Sequence, residues 1–189
     1  MLSVNNLVRA FLSIDIDDDA LLSRVSQIQQ RLDQQAAKMK IVEIHNIHFT
    51  LRFFGDTSIA KIDQIREQLN RIEIKPFEIT VGGVGAFPNK KRPRVVWIGV
   101  TQQEQQVREL KLEIDSLLQS VGYKPERRKY TPHATIARIR HVKDTGVIAR
   151  NLDELADESI GTMTISSFNM MKSTLTPSGP IYDKLWNVP

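Results

Sequence analysis

The sequence predicts an α+β protein of two pseudo-symmetric lobes, each an antiparallel sheet with helices on its outer face, which form a central cleft. Two observations carry this prediction. A motif of histidine, apolar residue, threonine and aliphatic residue occurs twice, at residues 48–51 and 133–136, about half a chain apart. No stretch rich in proline, glycine and serine divides the chain, so we expect residues 1–189 to form a single two-lobed domain.

The repeated motif is the strongest signal in the chain. It reads His48-Phe49-Thr50-Leu51 in the first half and His133-Ala134-Thr135-Ile136 in the second. Strand side chains alternate between faces, so each histidine shares a face with its threonine. Threonine and aliphatic residues are common in strands, which makes coincidence the plainer explanation. The chain has only four histidines, however, and the odds of two falling in this frame by chance are roughly one in several hundred to a few thousand.

The chain begins with a β-rich run from Val8 to Ile16 that ends in four aspartates. These carboxylates resemble a metal site, but they directly precede apolar residues at helical spacing. We therefore favour a capping function for them at the start of a helix over residues 18–37. The four residues are Asp15, Asp17, Asp18 and Asp19.

The first motif strand is predicted from Ile47 to Phe53, ending at Gly55-Asp56. Strict alternation places His48, Thr50 and Arg52 on one face, and Phe49, Leu51 and Phe53 on the other. A second helix is predicted over residues 59–71 by apolar residues at helical spacing.

The remaining elements follow from the same signals. Gly82, Gly83 and Gly85 fit neither a dinucleotide nor a triphosphate fingerprint, so we expect no nucleotide cofactor. We assign them to a hairpin with a bulge or to a close approach of the backbone. The predicted elements are strands over 77–84 and 94–100, a helix over 104–121, the second motif strand over 133–140, a helix or irregular turn over 146–156, and closing strands over 160–175 and 180–186 joined by a turn at 176–180.

Composition restricts the chemistry. The chain has no cysteine, which excludes disulfides, thiol nucleophiles and cysteine-bound zinc. Residues 1–11 lack the pattern of a signal peptide, and no run of eighteen apolar residues is present, so we expect a cytoplasmic protein without a membrane partner. The net charge is only +4, but basic residues cluster at 90–94 and around the second motif, a distribution that suits a polyanionic substrate as well as a solvated surface.

Two facing histidines are well suited to general acid/base catalysis. An imidazole with an ordinary pKa near 6.5 can donate or accept a proton at neutral pH. One imidazole on each side of a phosphorus atom matches in-line displacement, and the threonine hydroxyls can bind the non-bridging oxygens. We expect no metal, because ligation usually needs three or more donors and no such spacing is present.

The motifs resemble those of the two-histidine phosphoesterases, and more closely those of the RNA 2′,3′-cyclic phosphodiesterases, also described as 2′-5′ RNA ligases. The resemblance runs almost from end to end. It is carried by the opening strand at 9–15, the first motif at 46–55, the central hairpin at 85–89 with 94–97, the second motif at 132–138 and the closing turn at 175–182.

This resemblance implies metal-independent hydrolysis of RNA 2′,3′-cyclic phosphate ends to 2′-phosphomonoesters. By the family pattern His48 is the acid and His133 the base, while Thr50 and Thr135 hold the phosphate. Arg138 adds positive charge, but its parity opposes that of His133, so its role requires the strand to end or bulge after Ile136. Arg52 has the matching parity and is also a candidate for substrate binding.

Other expectations concern the substrate and the alternatives. A base is expected to stack on an aromatic ring, with Phe11, Phe87 and Tyr182 as candidates, although core packing explains each of them equally well. The expected substrate is an RNA with a 2′,3′-cyclic end, tRNA fragments among them, or a small cyclic nucleotide, bound by a monomer. Reverse 2′-5′ ligation uses the same site. The alternative is a non-catalytic nucleotide or RNA binding module on the same fold.

Overall fold

The computed structural model describes residues 7–177 and 179–189, and within them the chain forms nine strands and four α-helices. Residues 1–6, part of the segment that lacks a signal-peptide pattern, and Ser178 of the predicted closing turn lie outside the described residues. The strands are β1 Leu7–Asp15, β2 Ala37–Ile41, β3 His48–Ser58, β4 Phe77–Phe87, β5 Val95–Gln102, β6 His133–Val142, β7 Ser159–Ile165, β8 Phe168–Leu175 and β9 Pro180–Val188. The helices are α1 Asp19–Gln30, α2 Ile59–Leu69, α3 Glu104–Leu118 and α4 Thr145–Glu154.

The strands form one antiparallel sheet with two halves. The strand order is β7-β4-β5-β6-β3-β1-β8-β9, and β2 pairs with β6 beside this path. The halves join where β3 meets β6, and the register pair between these two strands is Phe49 with Ala134. With so little pairing at the junction, the two halves diverge from it as the walls of a cleft. The predicted arrangement of two lobes around a cleft is therefore observed, with the lobes continuous through one sheet.

The helices connect the halves as well as covering them. Helix α1 follows β1 but contacts β6 and β7 of the other half. Helix α3 follows β5 but packs against α2, which contacts β3. The apolar faces of α1, α2 and α3 join the sheet residues that face away from the cleft in one core. Each half is thus completed by a helix whose preceding strand belongs to the other half.

Most helix boundaries follow from capping side chains. Asp18 accepts a hydrogen bond from the Leu21 amide at 2.8 Å and begins α1, so one of the four predicted capping aspartates acts as the N-cap. Helix α1 ends at Gln30 and not at residue 37, because Asp33 Oδ1 accepts from the amides of Gln35 and Ala36 and turns the chain. Residues 37–41 then form β2, a strand that the sequence analysis does not predict. Residues 146–156, left open between helix and turn, fall mainly in α4, which Asp144 caps.

The closing segment differs most from expectation. Residues 160–175 are divided between two strands, since β7 pairs with β4 at one edge of the sheet and β8 pairs with β1 in the other half. Strand β3 also continues past Gly55, which has a φ of +70°, to Ser58. Glycine tolerates this left-handed conformation, so the strand can bend there without ending.

Candidate active site

The pairing of β3 with β6 brings the two motifs together. Phe49 and Ala134 are register partners, and both side chains are buried on the helix side of the sheet. In an antiparallel pair the flanking residues oppose one another, so His48 lies beside Thr135 and Thr50 lies beside His133 on the opposite face. All four side chains line one cleft of about 710 Å³. The sheet therefore places two imidazoles and two hydroxyls at one point on the cleft floor.

Both imidazoles are held in the same way. His48 Nδ1 lies 2.8 Å from the carbonyl oxygen of Asn46, and His133 Nδ1 lies 2.7 Å from that of Thr131. A carbonyl oxygen only accepts, so Nδ1 carries a proton in each ring. The Nε2 atoms are therefore left to exchange protons with a substrate. The contributions of Asn46 and Thr131 could not be predicted, because backbone carbonyls leave no trace in residue type.

A bulge in each motif strand changes which residues face the cleft. In β6, Thr135 pairs with Trp97 and Ala137 with Val96, which leaves Ile136 as an extra residue. A bulge shifts the alternation by one position, so Arg138 returns to the face of His133 and lines the cleft. For Arg138 to reach the site, strand parity required a strand end or a bulge near Ile136, and the bulge is present.

The corresponding bulge in β3 lies at Leu51, because Thr50 pairs with Ser13 and Arg52 with Leu12. The shift turns Phe53 toward the cleft, where its side chain is 55% exposed, and it turns Arg52 into the protein. The prediction that Arg52 shares a face with His48 and Thr50, and that Phe53 lies opposite, is therefore wrong. Strict alternation does not allow for the extra residue.

The contacts of Arg52 explain where its charge goes. The residue is only 7% exposed and, although it borders the cleft, its guanidinium pairs with Asp115 of α3. It also donates to the carbonyl oxygen of Lys124 at 2.7 Å. These contacts engage two of the three guanidinium nitrogens, while the buried Nε has no hydrogen-bond partner among the described residues. They favour a structural anchor over a substrate ligand.

Phe11 does not offer a stacking surface either. Its side chain is 1% exposed, and its ring stacks on His48 with centroids 5.0 Å apart. Phe11 also packs edge to face on Tyr182, at 5.1 Å. The expectation that Phe11 stacks on a base is corrected on this ground, because no face of the ring is free. Its position makes it a support for the His48 imidazole.

The aromatic residues on the cleft surface are partly as expected. Phe87 and Tyr182 line the cleft, and each packs edge-on against a histidine: Phe87 on His133 at 5.0 Å and Tyr182 on His48 at 5.2 Å. Phe53 is the unexpected member, since strict alternation directs it away from the cleft. Tyr130, also missed, donates from its hydroxyl to the carbonyl oxygen of Thr50 at 3.0 Å and so steadies the first motif strand.

The surroundings of His48 shift its pKa in opposite directions. Burial lowers its pKa from the ordinary value, while the hydrogen bond to the Asn46 carbonyl and the carboxylate of Asp15 raise it, and the positive charges of Arg138 and His133 lower it further. The net pKa shift is downward. Asp15 lies directly opposite His48 in the β1–β3 register.

Within the described part of the chain, no carboxylate raises the pKa of His133 as Asp15 raises that of His48. Burial lowers its pKa, the hydrogen bond to the Thr131 carbonyl raises it, and Arg138 lowers it. The position opposite His133 in the β5–β6 register is Gly99. The neutral form of His133 is therefore favoured without any carboxylate to oppose the effect.

The described residues contain no cluster of side chains that could bind a metal ion. Among residues 7–177 and 179–189 no three side chains of histidine, aspartate or glutamate are close enough to hold an ion together. The positive charges near the imidazoles come from arginine and lysine, with Arg138 and Lys40 on the cleft wall. The site is thus a pair of imidazoles and a pair of hydroxyls beside fixed positive charge.

Comparison with known families accounts for the duplicated frame. The model of the LigT like Phosphoesterase family matches this chain twice, over residues 14–97 and 98–182. The first match contains His48 and the second contains His133. The chain belongs to the LigT-like phosphoesterase family. Its two motifs are therefore the two copies of one family unit, as the repeated frame in the sequence indicates.

Curated relatives extend the LigT-like assignment over nearly the whole chain. The chain is 40% identical to an RNA 2′,3′-cyclic phosphodiesterase of Methanothermobacter thermautotrophicus over 93% of its own length and 95% of the relative. It is 36% identical to the protein of the same name from Aeropyrum pernix, over 89% and 96% of the two chains. The predicted relationship to the cyclic phosphodiesterases is thus confirmed.

Solved structures share the LigT-like fold. A protein of Thermus thermophilus matches with a TM-score of 0.76 at 20% identity, covering 95% of this chain and 96% of that one. Escherichia coli LigT, solved in complex with 3′-AMP, matches with a TM-score of 0.75 at 20% identity, covering 96% and 97%. The predicted α+β fold class is confirmed. In the part of the chain that the structure describes, no helix is both long and apolar enough to cross a membrane.

Proposed function

We propose that this LigT-like protein hydrolyses the 2′,3′-cyclic phosphate ends of RNA to 2′-phosphomonoesters, without a metal ion, by acid/base catalysis between His48 and His133. The observation that carries the proposal is the pairing of Phe49 with Ala134, which sets both His-x-Thr motifs on the floor of one cleft. Relatives that share 33–40% identity over most of the chain are named RNA 2′,3′-cyclic phosphodiesterase, which supports the substrate class.

The reaction requires one proton to be taken and one to be given. His133 Nε2 accepts a proton from water, and the water oxygen attacks phosphorus as the bond to the 3′ oxygen breaks. His48 Nε2 donates its proton to the departing 3′ oxygen, so the phosphate stays on the 2′ oxygen. His133 ends protonated and His48 neutral, and exchange with solvent restores both. The asymmetry of Asp15 beside His48 and Gly99 beside His133 supports this assignment.

The remaining polar groups of the cleft serve the phosphate. Thr50 and Thr135 lie beside the imidazoles, where their hydroxyls can donate to the non-bridging oxygens as negative charge builds. Arg138 contributes a fixed positive charge close enough to lower the pKa of both imidazoles. Stabilising the pentacoordinate transition state is the main effect expected of these three residues.

The base of the terminal nucleotide needs an exposed ring on the cleft surface. Phe53 meets this requirement better than Phe11, since it is exposed and lies on the face of His48. E. coli LigT has been solved with 3′-AMP, which supports a mononucleotide-sized subsite in the fold. We further propose that the chain works as a monomer, because the four motif side chains all come from one chain. Fragments of tRNA that end in a 2′,3′-cyclic phosphate are among the substrates proposed.

Ligation uses the same site and the same attack on the cyclic phosphate, with a different nucleophile. A 5′ hydroxyl would replace water, and a 2′-phosphodiester would form from the cyclic phosphate. Water is present at far higher concentration than any RNA end, and hydrolysis relieves the strain of the five-membered ring. Hydrolysis is therefore the reaction proposed for dilute solution.

The test is a product analysis. The protein is incubated with EDTA and an RNA that ends in 2′,3′-cyclic phosphate, and the position of the retained phosphate is determined. The proposal expects turnover in EDTA with the phosphate on the 2′ oxygen. Retention on the 3′ oxygen would reverse the assignments of His48 and His133. Calorimetric binding of a 2′-phosphorylated nucleotide with no product from the cyclic substrate would favour the binding module instead.

A further inference from the structure

Three consecutive cations stand at the mouth of the cleft. We call Arg127, Arg128 and Lys129 the basic loop. All three are exposed, and none forms an ion pair within the described part of the chain. The residues on either side, Glu126 and Tyr130, line the cleft. The basic loop is therefore positioned at the cleft rim by both of its neighbours.

Buried ion pairs fix the chain just before the basic loop. Lys111 of α3 is only 2% exposed, and its ammonium pairs with Asp115 at 2.6 Å and with Glu126 at 2.9 Å. Asp115 also pairs with Arg52, which donates to the carbonyl oxygen of Lys124. The backbone at 124 and the side chain at 126 are thus tied to α3 and β3.

A second set of contacts fixes the chain just after it. Tyr130 donates from its hydroxyl to the carbonyl oxygen of Thr50, in the first motif itself. Its own carbonyl oxygen accepts from Arg108 of α3, which also pairs with Glu104. Burial raises the pKa of the Tyr130 phenol, so this donor keeps its proton. The two ends of the basic loop are therefore anchored to the same two elements.

This arrangement is costly unless it serves a ligand. Taking Lys111 and Asp115 out of water carries a desolvation penalty that an ion pair only partly offsets. Three adjacent like charges also repel one another, and the adjacent acid, Glu126, pairs with Lys111 and with none of the three. What the anchoring provides is a preformed row of cations, so little conformational entropy is lost when a polyanion binds to it.

We infer that the basic loop binds the phosphate backbone of the RNA strand that precedes the cyclic end. This inference rests on the proposed function. The cleft, at about 710 Å³, has room for a nucleotide-sized group, so the rest of an RNA must leave through the mouth. Phosphates passing the rim meet the basic loop. Contacts of this kind position a strand without reading its sequence.

The inference is tested by comparing a long and a short substrate. The triple variant R127Q/R128Q/K129Q is assayed on an RNA of about ten nucleotides that ends in 2′,3′-cyclic phosphate, and on a 2′,3′-cyclic mononucleotide. We expect KM for the RNA to rise on the order of tenfold at low salt, with KM for the mononucleotide unchanged. The slope of log kcat/KM against log salt concentration for the RNA should become shallower by about 0.7 for each phosphate that the variant loop no longer neutralises.

A control variant separates local contact from net charge. R71Q/K75Q/K143Q removes the same charge from exposed residues that do not line the cleft. It should leave KM for the RNA unchanged. An equal rise in both triple variants would overturn the inference, as would equal losses on RNA and mononucleotide in R127Q/R128Q/K129Q.

The unsubstituted protein gives a second, independent measurement. Its kcat/KM should fall more steeply with salt for the RNA than for the mononucleotide, and equal slopes would overturn the inference even if no variant folded. Failure of the proposed function is distinguishable, because it would abolish turnover of the mononucleotide itself. If R127Q/R128Q/K129Q turns over the mononucleotide normally and its KM for RNA is unchanged, the inference fails and the proposed function stands.

Discussion

The carboxylate of Asp15 raises the pKa of His48, whereas no carboxylate among the described residues acts in this way on His133. In the strand register Asp15 lies opposite His48, and Gly99 occupies the equivalent position opposite His133. A carboxylate stabilises the protonated imidazole, and glycine contributes no charge at all. The two halves of the site therefore share a frame, while Asp15 opposes the downward pKa shift of His48 and the glycine opposite His133 cannot oppose that of His133.

The residues beyond these neighbours reinforce the difference. Asp15 accepts hydrogen bonds from Ser13 at 2.7 Å and from Asn169 at 2.7 Å, so its carboxylate is held in a polar network beneath the first motif. Aromatic packing does not distinguish the halves, because each imidazole contacts two aromatic rings. Duplication thus accounts for having two imidazoles, and the unequal charge beside them supports the proposed assignment of His48 as the acid and His133 as the base.

The largest expected effect tests whether both halves are needed. His48→Ala and His133→Ala should each lower kcat by about 10²- to 10⁴-fold on a cyclic mononucleotide. His141 is exposed and lies outside the repeated frame, so His141→Ala is the matched control and should retain activity. Full turnover by either motif variant would contradict the shared site.

The bulges in the two motif strands predict opposite effects of substituting Arg138 and Arg52. Arg138→Gln should lower kcat/KM roughly tenfold to a hundredfold, because a fixed charge near the phosphate is lost, with little change in the free energy of unfolding. Arg140→Gln, in an exposed position on the same strand, should change neither quantity. Steady-state kinetics and urea denaturation measure both. An unchanged kcat/KM in Arg138→Gln would remove that residue from the site.

Arg52 should show the reverse pattern. Arg52→Gln leaves Asp115 buried with only Lys111 as a charged partner, so the free energy of unfolding should fall by about 3 kcal/mol. Turnover of a cyclic mononucleotide per folded molecule should stay within a few-fold of the unsubstituted protein. A stable variant with a large loss of kcat/KM would show that Arg52 binds substrate after all.

The pH dependence follows from the direction of the two pKa shifts. His133 must be neutral and His48 protonated, so activity is lost as pH falls through the pKa of His133 and as pH rises through the pKa of His48. Burial lowers both pKa values from 6.5. The maximum of the bell-shaped kcat/KM profile should therefore lie below about pH 6.5. A maximum well above that pH would contradict the electrostatic account.

The smallest expected effect tests the influence of the Asp15 charge on His48. Asp15→Asn removes the charge that raises the pKa of His48, so the alkaline limb of the kcat/KM profile should move to lower pH. The acid limb, which belongs to His133, should stay in place. Asp17→Asn removes an equal charge from an exposed residue and serves as the control. Movement of both limbs together would indicate a general change in charge.

The sequence anticipates the elements whose patterns are long and regular. Helices α2 and α3 follow from apolar residues at helical spacing, and the two motif strands follow from alternation around a repeated frame. Strand β2 is missed because it is only five residues long and directly follows the predicted helix, although Ala37, Met39 and Ile41 alternate with two lysines. The end of α1 is missed because buried Leu32 continues the apolar spacing beyond Gln30, where the helix ends.

The site could be predicted only in part, for a different reason. Residue type identifies His48, His133 and the two threonines, but strand parity cannot reveal the extra residues at Leu51 and Ile136. These bulges depend on how β3 and β6 fit their sheet partners, which is a tertiary property. They decide that Arg138 enters the cleft and Arg52 does not.

The central claim is that both imidazoles act on one phosphorus atom. Its most direct test is a crystal structure with a nucleoside 2′-phosphate in the cleft. The account predicts that Nε2 of His48 and Nε2 of His133 each lie about 2.6–3.2 Å from an oxygen of the same phosphate. A phosphate bound by only one imidazole, with the other directed elsewhere, would contradict it.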